Sequence, residues 1–301
     1  MTEKIVDTAN PPAPVTGKLA LSADPAAQAS LAADRRRAVR RTIGRSLGNA
    51  AITFAVVLLL WQAIISFSGI SPFVAKGPLD VWAFLFTDED AAAHRAAMAP
   101  LVGQTLIDSA IGFVFGMIAA VVLAVLFSLS KSVEAGVMPL VLLLRTIPLV
   151  SIAPVIILIT GRGTVASVAV IGTIVVLFPA LASILFGLSR ASRQSIDVVH
   201  VFGGGRLTAL RKVSIPGAGP SLFAAARVSV PGAVTGALLA EWLSTGQGIG
   251  GAILKFNAQA QFAQLWTSIA LITLITLLLY NFVQIVENIV LVRMGMSTSH
   301  R

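Results

Sequence analysis

The ionisable residues inside long apolar runs are the residues of this sequence best placed to do chemistry. Asp108, Arg145 and Arg227 stand in such runs. A charged side chain within the hydrocarbon region of a membrane is costly, so it is usually paired or functional. The chemistry these residues predict is electrostatic: binding, guiding or excluding charged groups on a path through an apolar barrier.

Residue types that catalyse reactions or bind metals are scarce. The chain has no cysteine, and its three histidines, His94, His200 and His300, are scattered. This excludes disulfides and thiolate sites and gives no metal cluster. No Ser/His/Asp set has usable spacing, and no Gly-x-x-x-x-Gly-Lys-Ser/Thr phosphate loop is present. We therefore predict no catalytic residue, metal or cofactor in this chain; any ATP must be bound by a partner.

The composition indicates which elements hold these residues. Of 301 residues, 56% are hydrophobic and 12% are charged. An α-helix needs about 20 apolar residues to cross a bilayer. The sequence has six such runs, so it predicts an all-α membrane protein with six transmembrane helices. The runs cover residues 48–67, 104–128, 135–160, 164–188, 219–243 and 266–292.

The positions of Lys and Arg predict the orientation of these helices. Sixteen of them fall in the termini and in loops on the same side, against four in loops on the other side. Cytoplasmic loops carry such an excess, so both termini are predicted to be cytoplasmic. The net charge of +9 then records topology, and no nucleic-acid partner is expected.

The parts outside the spans divide the chain further. Residues 1–47 read as a disordered tail that ends in a basic segment, which either marks topology or meets anionic lipid headgroups. Residues 48–292 form the membrane domain, and 293–301 a short cytoplasmic tail. A short surface helix is expected on the outer side, around Leu79 to Phe86.

One loop between spans, residues 189–220, is much longer than most connections between helices, which indicates a specific role. It predicts a short helix, a glycine break at 203–205, a second amphipathic helix and a stop at Pro216. From the residues alone, the alternative is a basic interfacial hairpin with no partner.

This loop resembles the cytoplasmic loop of binding-protein-dependent ABC importer permeases. The family pattern is Glu-Ala-Ala, three residues, Gly, about nine residues, then an apolar residue and Pro. Asp197, Val198 and Val199 stand at the first three positions, Gly203 at the glycine and Ile215-Pro216 at the close. The two valines depart from the small alanines of the pattern.

The resemblance implies what the loop does. In the family it forms the coupling helix, which docks on a cytoplasmic ATPase subunit and carries its closure into the membrane. The residues implied to couple here are Asp197, Val198, Val199, Gly203, Gly204, Arg206, Arg211 and Pro216. The other implied partners are an external substrate-binding protein and a second permease copy or paralogue, in the plasma membrane of a bacterium.

A wider resemblance covers about residues 50–292. Its motifs include Leu60-Trp61, Gly112-Phe113, Ala240-Glu241 and the run Gly246-Gln-Gly-Ile-Gly250. They look closest to the type I importer permeases for nitrate, taurine, aliphatic sulfonates and related anions, or for pyrimidine vitamin precursors. The resemblance implies a small solute of one of these kinds.

Five residues are predicted along the translocation pathway: Asp108, Arg145, Pro148, Thr235 and Glu241. One hypothesis pairs Asp108 with Arg145, and another has Arg145 attract an anionic solute. Asp108 stands where the family often has Arg. Glu241 is either a solvated acid at the outer end of the fifth span or part of an outer gate. Arg227 is expected to snorkel.

Pro139, Pro148 and Pro154 all fall within the third predicted span. Proline removes backbone hydrogen bonds, so this helix is expected to bend, either for packing or to line the pathway.

Two other functions remain to be weighed. An ion-driven secondary transporter would favour inverted repeats with broken helices at matching places, and no such repeat is seen. A membrane enzyme would need a catalytic set at a membrane edge, and none has usable spacing.

Overall fold

The computed structural model describes Ile52 and residues 54–293, and every regular element in this part of the chain is a helix. The elements are α1 Phe54–Phe67, α2 Pro78–Trp82, α3 Ala91–Leu129, α4 Lys131–Thr146, α5 Leu149–Thr160, α6 Val165–Ser189, α7 Arg193–Val201, α8 Arg206–Ala209, α9 Ile215–Gly217, α10 Gly219–Ala240, α11 Gly248–Ala258 and α12 Phe262–Arg293. One-turn π-helical segments continue α2 (Ala83–Thr87), α8 (Leu210–Ser214) and α10 (Glu241–Thr245).

Among the described residues, four helices are long and apolar enough to cross a membrane: α3, α6, α10 with its π turn, and α12. The pair α4 and α5 makes a fifth span if its two halves are counted together. The first predicted span is described only from Ile52, and α1 is a shorter apolar helix. The structure therefore supports four or five of the six predicted spans. The predicted tails, 1–47 and 293–301, lie outside the described residues except for Arg293, the last residue of α12.

The predicted bend in the third span is present, as a break of 110° between α4 and α5. Ile147 has an extended backbone and Pro148 precedes the first residue of α5. A residue before proline is disfavoured in the α conformation, which explains why the helix stops there. Pro139 and Pro154 lie inside α4 and α5 without ending them.

The centre of the fold is the packing of α3, α6 and α10, whose backbones meet at three glycines. A Cβ added to Gly172 would lie 2.5 Å from the Cα of Gly112, and one added to Gly236 would lie 3.0 Å from the Cα of Gly172. Any side chain at these points would displace a backbone. Small residues therefore set the helix separation here, as in membrane helix packing generally.

Two short helices lie at the end of the bundle where α3 begins. The predicted surface helix around Leu79 to Phe86 is found as α2 and its π turn. His94 of α3 stacks on Phe84, with ring centroids 3.8 Å apart, and its Nδ1 lies 2.9 Å from the Phe84 carbonyl oxygen. The other helix, α11, was not predicted. The second span was predicted to begin near residue 104, whereas α3 begins at Ala91.

Candidate functional site

The segment 189–220 folds as a hairpin of short helices, which we call the α7–α8 hairpin. Helix α7 starts after Ser192, whose hydroxyl accepts a hydrogen bond from the Ser195 N–H. It ends after Val201 at the predicted glycine break. Pro216 does not stop the second helix as predicted: it lies within the helical turn α9, which leads directly towards α10. Proline is well tolerated in a first helical turn, where its missing N–H costs nothing.

Two glycines are required at the turn of this hairpin. Gly203 has a φ of +76°, and its N–H donates to the His200 carbonyl at 2.9 Å, while the Gly204 N–H donates to the Val199 carbonyl at 2.8 Å. These two bonds form a Schellman cap, which satisfies carbonyls at the end of α7. A Cβ on Gly204 would lie 2.5 Å from Cγ1 of Val199. Val199, one of the two residues that depart from the family pattern, is thus half-buried against the turn.

The tip of the hairpin carries two large apolar side chains that the sequence analysis did not single out. Phe202 is 86% exposed and Val201 is 84% exposed. Val198, three residues before Val201 on α7, is also exposed. The sequence did contain an indication of this exposure: both residues stand just before the glycine break, where the helix ends and a side chain has few neighbours to pack against. Exposed contiguous apolar surface marks a site of interaction.

The charged residues among the predicted coupling residues lie on the surface of the hairpin. Asp197, Arg206 and Arg211 are all exposed. The root of the hairpin is anchored by buried residues in the segment that returns from the tip to α10: Ala209, Leu210, Ser214 and Ala218. Arg206 also lines a cavity of about 560 Å³ shared with the end of α6 and the start of α4. A segment with a buried, well-packed root and an exposed tip can transmit movement from a partner to the helices.

A second cluster of polar groups lies at the other end of α10. Glu241 is fully buried, so its interpretation as a solvated acid is wrong. Its Oε2 accepts hydrogen bonds from the Gly250 N–H at 2.7 Å and from the Thr105 hydroxyl at 3.0 Å. The Thr105 oxygen in turn accepts from the Ile249 N–H at 2.9 Å. Glu241 and Thr105 thus cap the first turn of α11 from two other helices.

The glycine-rich run after α10 is explained by this carboxyl group. Gly248 has a φ of +61°, and a Cβ there would lie 2.3 Å from Oε1 of Glu241. Gly250 approaches the same side chain closely, with its Cβ position 3.1 Å from Oε2. The turn is also tied to α6, because the Ser244 and Ser167 hydroxyl oxygens are 2.8 Å apart. Glu241 therefore belongs to a closed structural unit of α3, α6, α10 and α11.

Asp108 lies beside Glu241 and does not pair with Arg145. Its side chain is 4% exposed, and its Oδ1 accepts a hydrogen bond from Nε2 of Gln104 at 3.0 Å. Thr105, one helical turn before Asp108 on α3, donates its hydroxyl to Glu241, which makes the two carboxyl groups neighbours. The predicted ion pair of Asp108 with Arg145 is absent, although the structure describes both residues.

Arg145 instead lies over the ring of Phe178, with its guanidinium carbon 4.1 Å from the ring centroid. Such a cation–π contact holds the side chain in place while leaving it charged. Arg145, Pro148 and Thr235 are all exposed on the surface of the single chain. The Thr235 hydroxyl is occupied by a bond to the Pro231 carbonyl at 2.9 Å. These three are free to line a pathway, whereas Asp108 and Glu241 are buried in the bundle.

Arg227 does not snorkel but forms an ion pair across two spans. Its Nη1 lies 3.2 Å from Oε2 of Glu287 on α12, and its guanidinium is 5.9 Å from the ring centroid of Tyr280. The sequence analysis missed Glu287, which falls near the end of the last predicted span. An acid and a base on different predicted spans were the available signal, since intramembrane charges usually pair.

An open cavity of about 630 Å³ lies next to the Glu241 turn. Amide side chains dominate its polar lining, together with one cation and one imidazole. They are Gln104, Gln247, Gln261, Gln264, Lys255 and His94. Phe84, Met98 and Phe256 supply apolar walls. This size and mixture are typical of small-molecule sites.

Comparisons with known proteins give a consistent result. The sequence profile of the family described as binding-protein-dependent transport system inner membrane component matches residues 112–295. A probable ABC transporter permease protein of Haemophilus influenzae is 27% identical over 225 residues, 75% of this chain and 89% of the relative. The riboflavin transport system permease protein of Chloroflexus aurantiacus is 26% identical over 176 residues, 57% of this chain and 62% of the relative. The formylaminopyrimidine transport permease protein of Halalkalibacterium halodurans is 26% identical over 117 residues, 39% and 46%.

Proposed function

This chain belongs to the binding-protein-dependent transport system inner membrane component family, and from that membership we propose that its α7–α8 hairpin couples a cytoplasmic ATPase to solute import. The chain is a multi-pass ABC transporter permease subunit and not an enzyme. ATP is then bound and hydrolysed by a partner. The proposed assembly adds two ATPase subunits, an external substrate-binding protein and a second permease copy or paralogue, in a bacterial plasma membrane with both termini cytoplasmic.

The observation that carries the coupling proposal is the exposed tip of the hairpin. Phe202 and Val201 project from a turn fixed by Gly203 and Gly204, above a buried root. A rigid knob with apolar residues at its end fits a groove on a partner, where a few buried side chains supply most of the binding energy. In this proposal Asp197, Arg206 and Arg211 form the polar rim of the contact.

We expect Phe202→Asp to remove the ATPase from the permease. A charge at the centre of a buried contact, together with the lost aromatic area, typically costs about 2 kcal/mol or more of binding free energy, a loss of about 30-fold or more in affinity. The measurement is co-purification of the tagged chain from its native membranes, with the ATPase identified by mass spectrometry and quantified.

Leu79→Asp is the matched control for this experiment. Leu79 is an equally apolar residue, 77% exposed, on the surface helix α2 at a distance from the hairpin. The control is expected to retain the ATPase. Equal recovery of the ATPase with Phe202→Asp and with wild type would refute the coupling role. No ATPase with any of the three would favour an ion-driven carrier.

We propose further that the solute is a planar nitrogen heterocycle of the vitamin or vitamin-precursor type. Two relatives carry names that refer to riboflavin and to formylaminopyrimidine, and none of the three carries a name that refers to nitrate, taurine or a sulfonate. The cavity beside the Glu241 turn supports this choice, because amide groups can hydrogen-bond to ring nitrogens and carbonyls between apolar walls. Small organic and inorganic anions are the alternative.

Uptake by cells that lack this chain tests the choice of solute. We expect these cells to lose ATP-dependent uptake of labelled riboflavin or a formylaminopyrimidine, and to regain it when the wild-type chain is restored. Uptake of taurine, an alkyl sulfonate and nitrate is expected to be unchanged. Loss of uptake of one of these anions, with heterocycle uptake intact, would assign the chain to the anion importers.

A further inference from the structure

The buried pair Asp108 and Glu241 has two oxygen atoms that no donor reaches. Oδ1 of Asp108 and Oε2 of Glu241 accept the hydrogen bonds described above. Oδ2 of Asp108 and Oε1 of Glu241 are both buried and without a hydrogen-bond partner. The two residues are 4% and 0% exposed. Thr105, which donates to Glu241, lies one helical turn before Asp108 on α3, so these two acceptors belong to the same buried region between α3 and the π turn of α10.

Nothing on the surrounding helices neutralises these carboxyl groups. Helices α5 and α6 contain no titratable residue. On α3, His94 and Arg95 are engaged with the carbonyls of Phe84 and Leu85. Arg227 of α10 pairs with Glu287 of α12, and the ring of Tyr280 lies beside that pair.

Two further cations lie in the neighbouring segments. Lys255 of α11 lines the open cavity, and Arg162, in the turn before α6, is exposed. Within the described residues, neither carboxyl group has an ion pair to Lys, Arg or His.

We propose that Asp108 and Glu241 form a binding site for a single proton, held between Oδ2 of Asp108 and Oε1 of Glu241. Two adjacent ionised carboxylates in a dry site repel each other, and each pays a large desolvation cost. One bound proton removes one of the two charges and supplies the missing donor for an O–H···O bond. Glu241 keeps the oxygen that caps α11, so binding the proton disturbs no other contact.

The position of this site gives the proton a structural consequence. The pair joins α3 to the turn between α10 and α11, and Gln104, Gly246, Gln247 and Gly248 of the same region line the open cavity. With the proton bound, the pair holds the turn against α3. Without it, like-charge repulsion pushes the Glu241 turn away from Asp108. The site therefore acts as a proton-dependent latch beside the cavity.

Thermal unfolding as a function of pH tests this proposal. The sample is the full-length chain in lipid nanodiscs together with whatever subunits co-purify. If the folded state holds the extra proton, it binds more protons than the unfolded state. The stabilisation that this proton gives is then present at low pH and is lost as the pH rises. We expect the apparent Tm to fall by about 3–6 °C between about pH 6 and about pH 9.

Asp108→Asn and Glu241→Gln are each expected to abolish this pH dependence. An amide N–H donates permanently where the proton sat, so the one remaining carboxyl group has its donor without binding a proton and stays ionised across this range. Glu134→Gln is the control: Glu134 pairs with Lys131 at 2.7 Å far from the latch, and its variant is expected to keep the wild-type slope. As a second readout, the infrared band of a protonated carboxyl group should be present in the wild type at neutral pH and absent from Asp108→Asn.

Three results would overturn the proposal. One is a wild-type Tm that does not depend on pH in this range. Another is an unchanged slope in Asp108→Asn. The third is a Tm at high pH that added Na⁺ or Ca²⁺ restores in the wild type but not in Asp108→Asn, which would make the pair a metal-cation site.

Discussion

Replacing Gly172 with valine is expected to destabilise the folded chain by about 3 kcal/mol or more, at the upper end of the cost of overpacking a tightly packed core. The reason is the crossing of α3, α6 and α10. A Cβ on Gly172 would lie 2.5 Å from the Cα of Gly112, and Gly172 also faces Gly236. The contacted atoms are backbone atoms of other helices, which cannot rotate out of the way as a flexible side chain can.

The measurement for Gly172→Val is the apparent Tm of the purified chain, with its yield in the membrane. Gly103→Val is the matched control, because Gly103 lies within the long helix α3 and nothing lies within 4 Å of a Cβ placed there. The control is expected to stay within about 1 kcal/mol of the wild type, the ordinary effect of a change at an uncrowded helix position. Equal losses in the two variants would contradict the proposed glycine crossing.

Breaking the ion pair between α10 and α12 is expected to have an effect of similar size. Arg227 and Glu287 have side chains 21% and 10% exposed, and their charged atoms are 3.2 Å apart. Glu287→Gln leaves the guanidinium without its counter-charge in an apolar setting, and such a loss typically costs about 3–5 kcal/mol. The apparent Tm of the purified chain again measures it.

A double variant separates the pair from general damage to α12. If the cost of Glu287→Gln is that of an uncompensated charge, Arg227→Met combined with Glu287→Gln removes both charges and recovers most of the loss. Additive losses in the double variant would show that the two side chains do not depend on each other. Glu134→Gln, at an exposed ion pair, is expected to change stability by less than about 1 kcal/mol.

The sequence predicted the helices that have a simple physical signature. Apolar runs of membrane length located α6, α10 and α12 closely, and the prolines correctly predicted the bend between α4 and α5. The glycine break at 203–205 located the turn of the α7–α8 hairpin. In these cases the deciding interaction is local: hydrophobic length, a proline that interrupts a helix, or a glycine that adopts a positive φ.

The parts that the sequence did not predict depend on contacts between distant segments. Asp108 was paired with Arg145 by hypothesis, whereas the structure places it beside Glu241. Glu241 looked like a solvated acid at a helix end, because its burial depends on α11 folding back over it. No periodicity in one helix shows which side chain of another helix it meets. The same reasoning applies to Arg227 and Glu287, and to the contact of Gly172 with Gly112.

Crosslinking at the tip of the α7–α8 hairpin tests the central claim most directly. Because the chain has no cysteine, Phe202→Cys introduces a single thiol at the position proposed to enter the ATPase. A thiol-reactive photocrosslinker attached there, in native membranes, is predicted to capture an ABC ATPase subunit, identified by mass spectrometry. The same label at Leu79→Cys, on helix α2, is predicted not to capture it. An ATPase captured from neither position, while the Phe202→Cys chain is fully labelled and folded, would contradict the coupling function proposed for this permease.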